Sequence, residues 1–205
     1  MTGTLSEEQF SSQCKTLVEL SDKLGDGWEL RYDQQDTYIV KKCKVSATFR
    51  DAINQHSSST PTTEEPSSSI GSDSEEEDLV SLAEEDPSSL PILSASLLTF
   101  EYHVIYSPAY QVPVLYFNAW HSTGALLTPD EVWRFAPSRP AGDAYNYITQ
   151  ADHPVLGGPF YQVHPCRTEV LMGEVLGRQD KYLIAWLSFL GRDVGLSLGN
   201  EYGML

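Results

Sequence analysis

Cys166 is the residue of this sequence best suited to act as a nucleophile. It lies in the run HPCRT, which spans positions 164–168. Proline fixes its own φ and biases the residue before it toward an extended backbone, so His164 and Pro165 predict a rigid turn that holds the sulfur. The adjacent Arg167 favours the thiolate, which is the nucleophilic form of cysteine. From these residues alone, a free thiol packed as a small apolar side chain is the other open interpretation.

His153-Pro154 repeats the His-Pro pair upstream of Cys166. A histidine that takes the proton of a cysteine is typical of thiol hydrolases, so His153 and His164 are both candidate bases for the sulfur. No further spacing completes a catalytic triad, and a histidine before a proline is also a common turn residue. A hydrolase would therefore depend on these two histidines alone.

The cysteine content favours a reducing compartment. The three residues, Cys14, Cys43 and Cys166, are widely spaced, and no pair has the CxxC spacing of a zinc site. Cys14 and Cys43 fall on apolar faces of their segments, where a thiol packs as a small apolar side chain. The sequence thus predicts no disulfide framework and no metal site.

The composition predicts a soluble intracellular protein with one sizeable core. Hydrophobic residues make up 40% of the 205 residues, which is enough for a single domain. The formal net charge of -16 argues against nucleic-acid binding, because phosphate contacts need clustered Lys and Arg. The N-terminus lacks the basic start and apolar centre of a signal peptide. No apolar run approaches the roughly 20 residues of a membrane span, so no integral membrane segment is expected.

Most of the acidity belongs to one segment. Residues 57–90 contain ten acidic residues and no Lys or Arg, so the rest of the chain carries about -6, that is -16 plus 10. The Ser, Glu, Asp and Pro content from about 55 to 90 is too polar to offset the entropy of ordering. It predicts a disordered insertion inside one domain of residues 1–205, because neither flank alone looks complete.

The first 50 residues predict a helix followed by a hairpin. Ser6 is a suitable N-cap, Gln9 completes a capping box, and apolar residues then recur at helical spacing as far as position 24. Strands are expected at about 28–32 and 38–49, joined by a polar turn. In the second strand the odd-numbered positions form the more apolar face.

After the insertion the sequence predicts a second hairpin and two helices. The expected segments are strands at 100–107 and 112–120, a short helix capped by Thr128, an irregular stretch over 137–165, and a buried helix over 182–190 that ends at Gly191. Together with the first half, this order describes an α+β domain in which helices pack on an antiparallel sheet.

Several motifs together resemble the autophagy E2-like conjugating enzymes. The resemblance runs through most of residues 97–198, is weaker over 5–50, and does not include the acidic insertion. The matching runs are EYHV from Glu101, YQVPVLYF from Tyr110, ITQ from Ile148, the pair His153-Pro154, HPC from His164 and WLS from Trp186. Each run is weak alone, and their combination is specific.

The resemblance implies an E2-like fold and a role for Cys166 as the thioester-forming nucleophile. An E1-like activating enzyme would load a ubiquitin-like modifier onto the sulfur, and a lysine of the acceptor would then attack the thioester. Within the family, the short chain is similar to the member that joins the ubiquitin-like modifier twelve to autophagy protein five. No cofactor is implied, and the expected location is cytoplasmic, with transient contact at autophagic membranes.

The oxyanion of the transfer step needs a hydrogen-bond donor nearby. Asn146, Thr149 and Gln150 are candidates only from their position upstream of the cysteine. Turn or surface residues are the commoner interpretation of each, and the sequence does not choose among them. The hairpin from Tyr102 to Tyr116 is expected to help recognise the acceptor.

Two further interpretations stay open beside the conjugating enzyme. One is a non-catalytic autophagy interaction module that keeps the fold, with Cys166 as an ordinary loop residue. The other is the related lipid-conjugating enzyme, which shares the His-Pro-Cys motif.

Overall fold

The computed structural model of the chain describes residues 3–33, 36–46, 97–135, 147–175 and 181–204. The predicted insertion at about 55–90, positions 47–49 of the predicted strand 38–49, and positions 137–146 of the predicted irregular stretch, including the candidate Asn146, lie outside these residues. The helices and strands, in chain order, are α1 (Glu7–Leu24), β1 (Trp28–Asp33), β2 (Asp36–Ser46), β3 (Leu97–Ser107), β4 (Val112–Trp120), α2 (Pro129–Phe135), β5 (Ile148–Asp152), β6 (Pro159–Val163), α3 (Thr168–Val175), α4 (Tyr182–Leu190) and α5 (Glu201–Met204).

Helix α1 begins and ends as its sequence predicts. The side chain of Ser6 accepts a hydrogen bond from the backbone N–H of Gln9, and the side chain of Gln9 accepts one from the N–H of Ser6. This capping box satisfies backbone donors that a helix start leaves free. Gly25 ends the helix in the left-handed conformation, with φ at 66°, which costs glycine little.

The six described strands form one antiparallel sheet in the order β1-β2-β3-β4-β6-β5. The two predicted hairpins are confirmed as β1–β2 and β3–β4, and β2 pairs with β3 from Tyr38 opposite Ile105 to Ser46 opposite Leu97. Strands from both sides of the predicted insertion therefore share one sheet. The α+β class with helices on an antiparallel sheet is confirmed.

The main core lies between one face of the sheet and the helices α1, α3 and α4. Phe10 and Leu17 from α1 pack there with Tyr102 of β3 and Trp186 of α4. The opposite face, here called the second face, carries a smaller buried cluster of Tyr38, Ile105, Val114 and Tyr116. Alternation along the strands divides the residues between these two faces.

The prediction of an irregular stretch over 137–165 is wrong for its second half. Residues 148–163 form the hairpin of β5 and β6, and β6 also pairs with β4. These two strands were not predicted because each has only five residues and the segment between them contains prolines and glycines, which are typical of turns. Helix α3 then begins at Thr168, two residues after Cys166, and this helix was not predicted.

No helix within the described ranges is long and apolar enough to cross a membrane.

Candidate active site

Cys166 is exposed at the middle of a single 3-10 turn, Pro165–Arg167, that joins β6 to α3. His164 caps this turn from an extended conformation, and its ring Nδ1 accepts the backbone N–H of Cys166 at 3.2 Å. The turn closes where the N–H of Thr168 donates to the carbonyl of Pro165. The motif thus holds the sulfur outside the core on a short, hydrogen-bonded loop, as its rigid residues predict.

The ring of His164 packs against the β3–β4 turn. Its centroid lies 6.0 Å from that of Tyr110 in an edge-on arrangement, and Tyr110 is itself 46% exposed. On the other side, the backbone N–H of His164 donates to the carbonyl of Tyr147 at 2.8 Å. The residue that caps the cysteine turn is therefore fixed by neighbours on both sides.

Tyr147 connects the cysteine loop to the C-terminal part of the chain. Its hydroxyl donates to Oδ2 of Asp193 at 2.8 Å, in the 3-10 turn that follows α4. Burial and the adjoining carboxylate raise the pKa of Tyr147, and burial raises the pKa of Asp193 against the opposing effect of the tyrosine hydroxyl. Tyr147 therefore stays a neutral donor, and the pair is a fixed support behind the loop.

The candidate oxyanion donors Thr149 and Gln150 lie on β5, opposite Gln162 and Tyr161 respectively. Neighbouring positions of a strand point to opposite faces, so the two side chains diverge. Burial raises the pKa of Tyr161, and the neighbouring side chain of Gln150 opposes that shift. No hydrogen bond joins Thr149 or Gln150 to Cys166 among the described residues, and their assignment, with that of Asn146, stays a prediction.

His153 is not arranged as a base for the cysteine. Its Nδ1 accepts the backbone N–H groups of Val155 and Leu156, at 3.2 and 3.0 Å. Its Nε2 lies 2.9 Å from Nδ1 of His103, whose own Nε2 lies 3.1 Å from Glu101. Because Nδ1 of His153 accepts hydrogen bonds, the ring proton of His153 is on Nε2. Nε2 of His153 therefore donates to Nδ1 of His103, and Nε2 of His103 donates to the carboxylate of Glu101.

The surroundings keep both of these histidines neutral. Burial, and then the neighbouring ring of His103, lower the pKa of His153 to about 4, and burial lowers the pKa of His103. Both nitrogens of His153 are engaged on the second face, which leaves neither for a proton from Cys166. The hydrolase interpretation therefore loses its upstream base.

Cys14 and Cys43 occupy the positions expected of packed thiols. Cys14 is fully buried, and burial raises the pKa of its thiol well above the ordinary value. Cys43 is half-buried against the main core. Cys166 is the exposed cysteine, and only an exposed thiol can meet the end of another protein chain.

Among the described residues, no group of three or more His, Cys, Asp and Glu side chains is arranged to hold a metal ion. The expected effect of Arg167 on the thiolate stays a prediction, since its side chain is not among those described. The arrangement offers an accessible thiol on a rigid turn, which is the geometry of a candidate nucleophile.

Sequence reasoning missed Tyr147 and Asp193, the pair behind the loop. They are separated by 46 positions, so no local spacing joins them. It also missed the N-terminal residues Gly3 and Leu5, which contact helices and strands far along the chain. Among these residues only glycine carried a signal, since an early glycine can mark a close backbone approach.

The chain matches the family model described as "Autophagocytosis associated protein, active-site domain" over residues 9–201. It is 32% identical to the ubiquitin-like-conjugating enzyme ATG10 of Homo sapiens, with 97% of this chain and 92% of that protein covered. It is 36% identical to the ATG10 enzyme of Dictyostelium discoideum over 50% of this chain and 53% of the relative.

A solved structure titled "Crystal structure of Autophagic E2, Atg10" superposes with a TM-score of 0.51 and 14% identity, covering 94% of this chain and 98% of the other. At that identity the likeness concerns the fold alone. It agrees with the six-stranded antiparallel sheet and its helices.

Proposed function

Because the chain belongs to the family of the autophagocytosis-associated protein active-site domain, we propose that it is an E2-like conjugating enzyme of autophagy that carries a ubiquitin-like modifier as a thioester on Cys166. The observation that carries the proposal is the position of Cys166 on its capped turn. Of the three cysteines it is the exposed one, while Cys14 is buried and Cys43 is half-buried. The names of the relatives, ubiquitin-like-conjugating enzymes, support the reaction class.

Loading is a transthiolation. The thiolate of Cys166 attacks the carbonyl at the C-terminal glycine of the modifier, which arrives as a thioester on an E1-like enzyme. A new S–C bond forms, the S–C bond to the E1-like enzyme breaks, and that enzyme's sulfur leaves as thiolate. The proton of Cys166 is lost to solvent before attack, because the reactive form is the thiolate.

Discharge is an aminolysis. The neutral amine of an acceptor lysine attacks the thioester carbonyl, the S–C bond breaks, and an isopeptide bond forms as the amine loses a proton to solvent. Cys166 leaves as the thiolate, ready for another cycle. The backbone N–H of Cys166 is already bonded to His164, so the oxyanion needs another donor. Asn146, Thr149 and Gln150 remain the proposed candidates.

The finer assignment is the transfer of the ubiquitin-like modifier twelve to a lysine of autophagy protein five. It is supported by the relatives named ATG10, one of which aligns over nearly its whole length. We assign acceptor recognition to the β3–β4 hairpin, whose turn carries the exposed Tyr110 beside His164. The proposed location is cytoplasmic, with transient contact at autophagic membranes.

The test is non-reducing gel electrophoresis after mixing the chain with ATP, the E1-like enzyme and each candidate modifier. We expect an adduct that thiols reverse with the wild-type chain, a thiol-resistant oxyester with Cys166→Ser, and no adduct with Cys166→Ala. Cys43→Ser is the matched control and should keep the thiol-sensitive adduct.

The outcome also separates the other interpretations. A thiol-sensitive adduct with the lipid-linked modifier instead of modifier twelve would identify the lipid-conjugating branch. If no modifier gives an adduct while the E1-like enzyme itself becomes charged, the catalytic role is refuted and the interaction module stands.

A further inference from the structure

The first described residues, Gly3 to Leu5, form a segment here called the arm, which contacts α3, the helix that follows Cys166. The backbone of Gly3 lies so close to α3 that an added Cβ would stand 1.8 Å from the carbonyl oxygen of Glu169 and 2.6 Å from the nitrogen of Gly173. These two groups are one helical turn apart, the spacing of an α-helical hydrogen bond. A side chain at position 3 would therefore enter the backbone of α3 itself.

The arm is also tied to α4. The carbonyl of Gly3 accepts a hydrogen bond of 2.6 Å from the hydroxyl of Tyr182, and this contact is buried. A buried carbonyl without a hydrogen-bond partner costs free energy, so this bond fixes the position of the arm between α3 and α4. The space left beside α3 then admits only a residue without a side chain.

Leu5 joins the same arm to the other side of the cysteine loop. Its backbone N–H donates to the carbonyl of Gln111 at 2.8 Å, and its own carbonyl accepts the hydroxyl of Tyr106 at 2.9 Å. Its side chain is buried in the main core. Gln111 has a φ of 54°, an uncommon conformation for a residue with a side chain, and the carbonyl it presents is the one that Leu5 binds.

The two attachments lie on the two flanks of Cys166. On one flank, Gln111 adjoins Tyr110, which packs on the ring of His164, and that ring accepts the N–H of Cys166. On the other flank, α3 begins two residues after the cysteine. The arm therefore contacts, on both sides, segments that adjoin the turn of Cys166.

We propose that the arm sets the position of Cys166 and that Gly3 is a positioning residue for thioester formation, an inference that rests on the function proposed above. An alanine Cβ needs about 3.0 Å of clearance and finds 1.8 Å, so the arm or α3 must move by more than an ångström. A displacement of that size at a reacting atom slows catalysis substantially, up to about a hundredfold.

The experiment compares Gly3→Ala with Gly203→Ala in the full chain. Gly203 is the matched control, because a Cβ there meets no atom within 4 Å and its φ is unexceptional. With Gly3→Ala we expect loading at saturating charged E1-like enzyme to fall about tenfold, with the half-saturating concentration within twofold of wild type. Gly203→Ala should leave both values within twofold.

Amide hydrogen exchange supplies a readout that needs no modifier. In Gly3→Ala the amides of α3 should exchange at least tenfold faster while those of β3 and β4 stay protected, which a global loss of stability would not produce. If the wild type forms no thioester, the proposed function fails, and this exchange pattern still decides whether the arm holds α3.

Unchanged loading and unchanged exchange in a folded Gly3→Ala protein would overturn the inference. So would an equal effect of Gly203→Ala. If Gly3→Ala does not fold, Tyr182→Phe decides instead, because it removes only the hydroxyl that binds the carbonyl of Gly3. There we expect loading to fall about threefold, and a rate equal to wild type would refute the role of the arm.

Discussion

The chain contains two His-Pro turns of the same local design in different surroundings. In each turn the histidine Nδ1 accepts backbone N–H groups that follow the proline. His153 binds those of Val155 and Leu156, and His164 binds that of Cys166. The dipeptide therefore sets one local structure twice, with the histidine as cap and the proline as its rigid partner.

The neighbours of the two rings differ. His153 is buried on the second face, packed near Tyr116 and Phe160, and its other nitrogen binds His103. His164 is half-buried, packs edge-on against Tyr110 and adjoins the exposed Cys166. The first turn stabilises the sheet, and the second presents the sulfur. A motif alone does not tell these roles apart, because burial and partners decide them.

The largest effect is expected at the buried turn. His153→Ala removes the acceptor for two backbone N–H groups and the donor to His103, so we expect the free energy of unfolding to fall by about 3 kcal/mol. Urea unfolding at pH 7 measures it. Thioester formation by the remaining folded protein should stay within twofold, and a specific loss of loading at unchanged stability would contradict the distinction between the turns.

His153→Asn sharpens the same comparison. An asparagine oxygen can accept the backbone N–H groups of the turn, as in an Asx turn, but it does not rebuild the bond to His103. We expect it to recover only part of the stability lost in His153→Ala. Full recovery would mean that the bond to His103 contributes nothing.

Acid should weaken the buried turn next. The pKa of His153 is about 4 in the folded protein against an ordinary 6.5, so below pH 6.5 the unfolded state takes up a proton that the folded state refuses. Stability from this group is full above pH 6.5 and is lost as the pH falls toward 4, by about 2 kcal/mol between pH 7 and pH 5. His103 adds in the same direction, because burial lowers its pKa too.

Urea unfolding of the wild type and of His153→Asn at pH 7, 6 and 5 tests this dependence. The difference between the two proteins isolates His153 from the other titrating groups, including the nearby Glu101. The difference should shrink as the pH falls. A difference that is constant with pH would refute the lowered pKa.

We expect the smallest effect on stability at the second turn, together with an effect on the rate of loading that the first turn does not show. His164→Ala removes the acceptor for the N–H of Cys166, so we expect loading by the E1-like enzyme to slow about tenfold while the free energy of unfolding falls by about 1 kcal/mol or less. His164→Asn restores an acceptor and should recover most of the rate. Single-turnover loading measures both, and equal rates for His164→Ala and wild type would show that the cap does not position the sulfur.

Local patterns predicted most of the elements. The capping box of Ser6 and Gln9, the two hairpins and the helix ending at Gly191 were all visible in the sequence, because each depends on residues a few positions apart. The strands β5 and β6 were missed, since each has five residues and is stabilised by tertiary pairing: β6 pairs with β4, and β5 pairs with β6. Helix α3 was missed because its apolar face is short and irregular.

The candidate site likewise has a part that the sequence predicted and a part that it did not. The rigid turn of His164 and Pro165 that carries Cys166 was predicted from one short motif, the role of Cys166 stays a prediction, and the family resemblance was confirmed by the match over residues 9–201. The supports of the loop were not identified, because Tyr147 with Asp193 and Gly3 with Glu169 meet only after folding. The oxyanion donors stay predictions, because position along the chain does not say which side chain reaches the thioester.

By itself, the sequence determined the turn that carries Cys166, the class of the fold and the strands of two hairpins, because these follow from spacing, capping and proline geometry over a few residues. Only the tertiary structure decided which histidine is buried and neutral, and which residues hold the loop. Both depend on contacts between segments far apart in the chain, such as that of Gly3 with α3, which are more than 160 residues apart in sequence. No pattern over a few residues encodes such contacts.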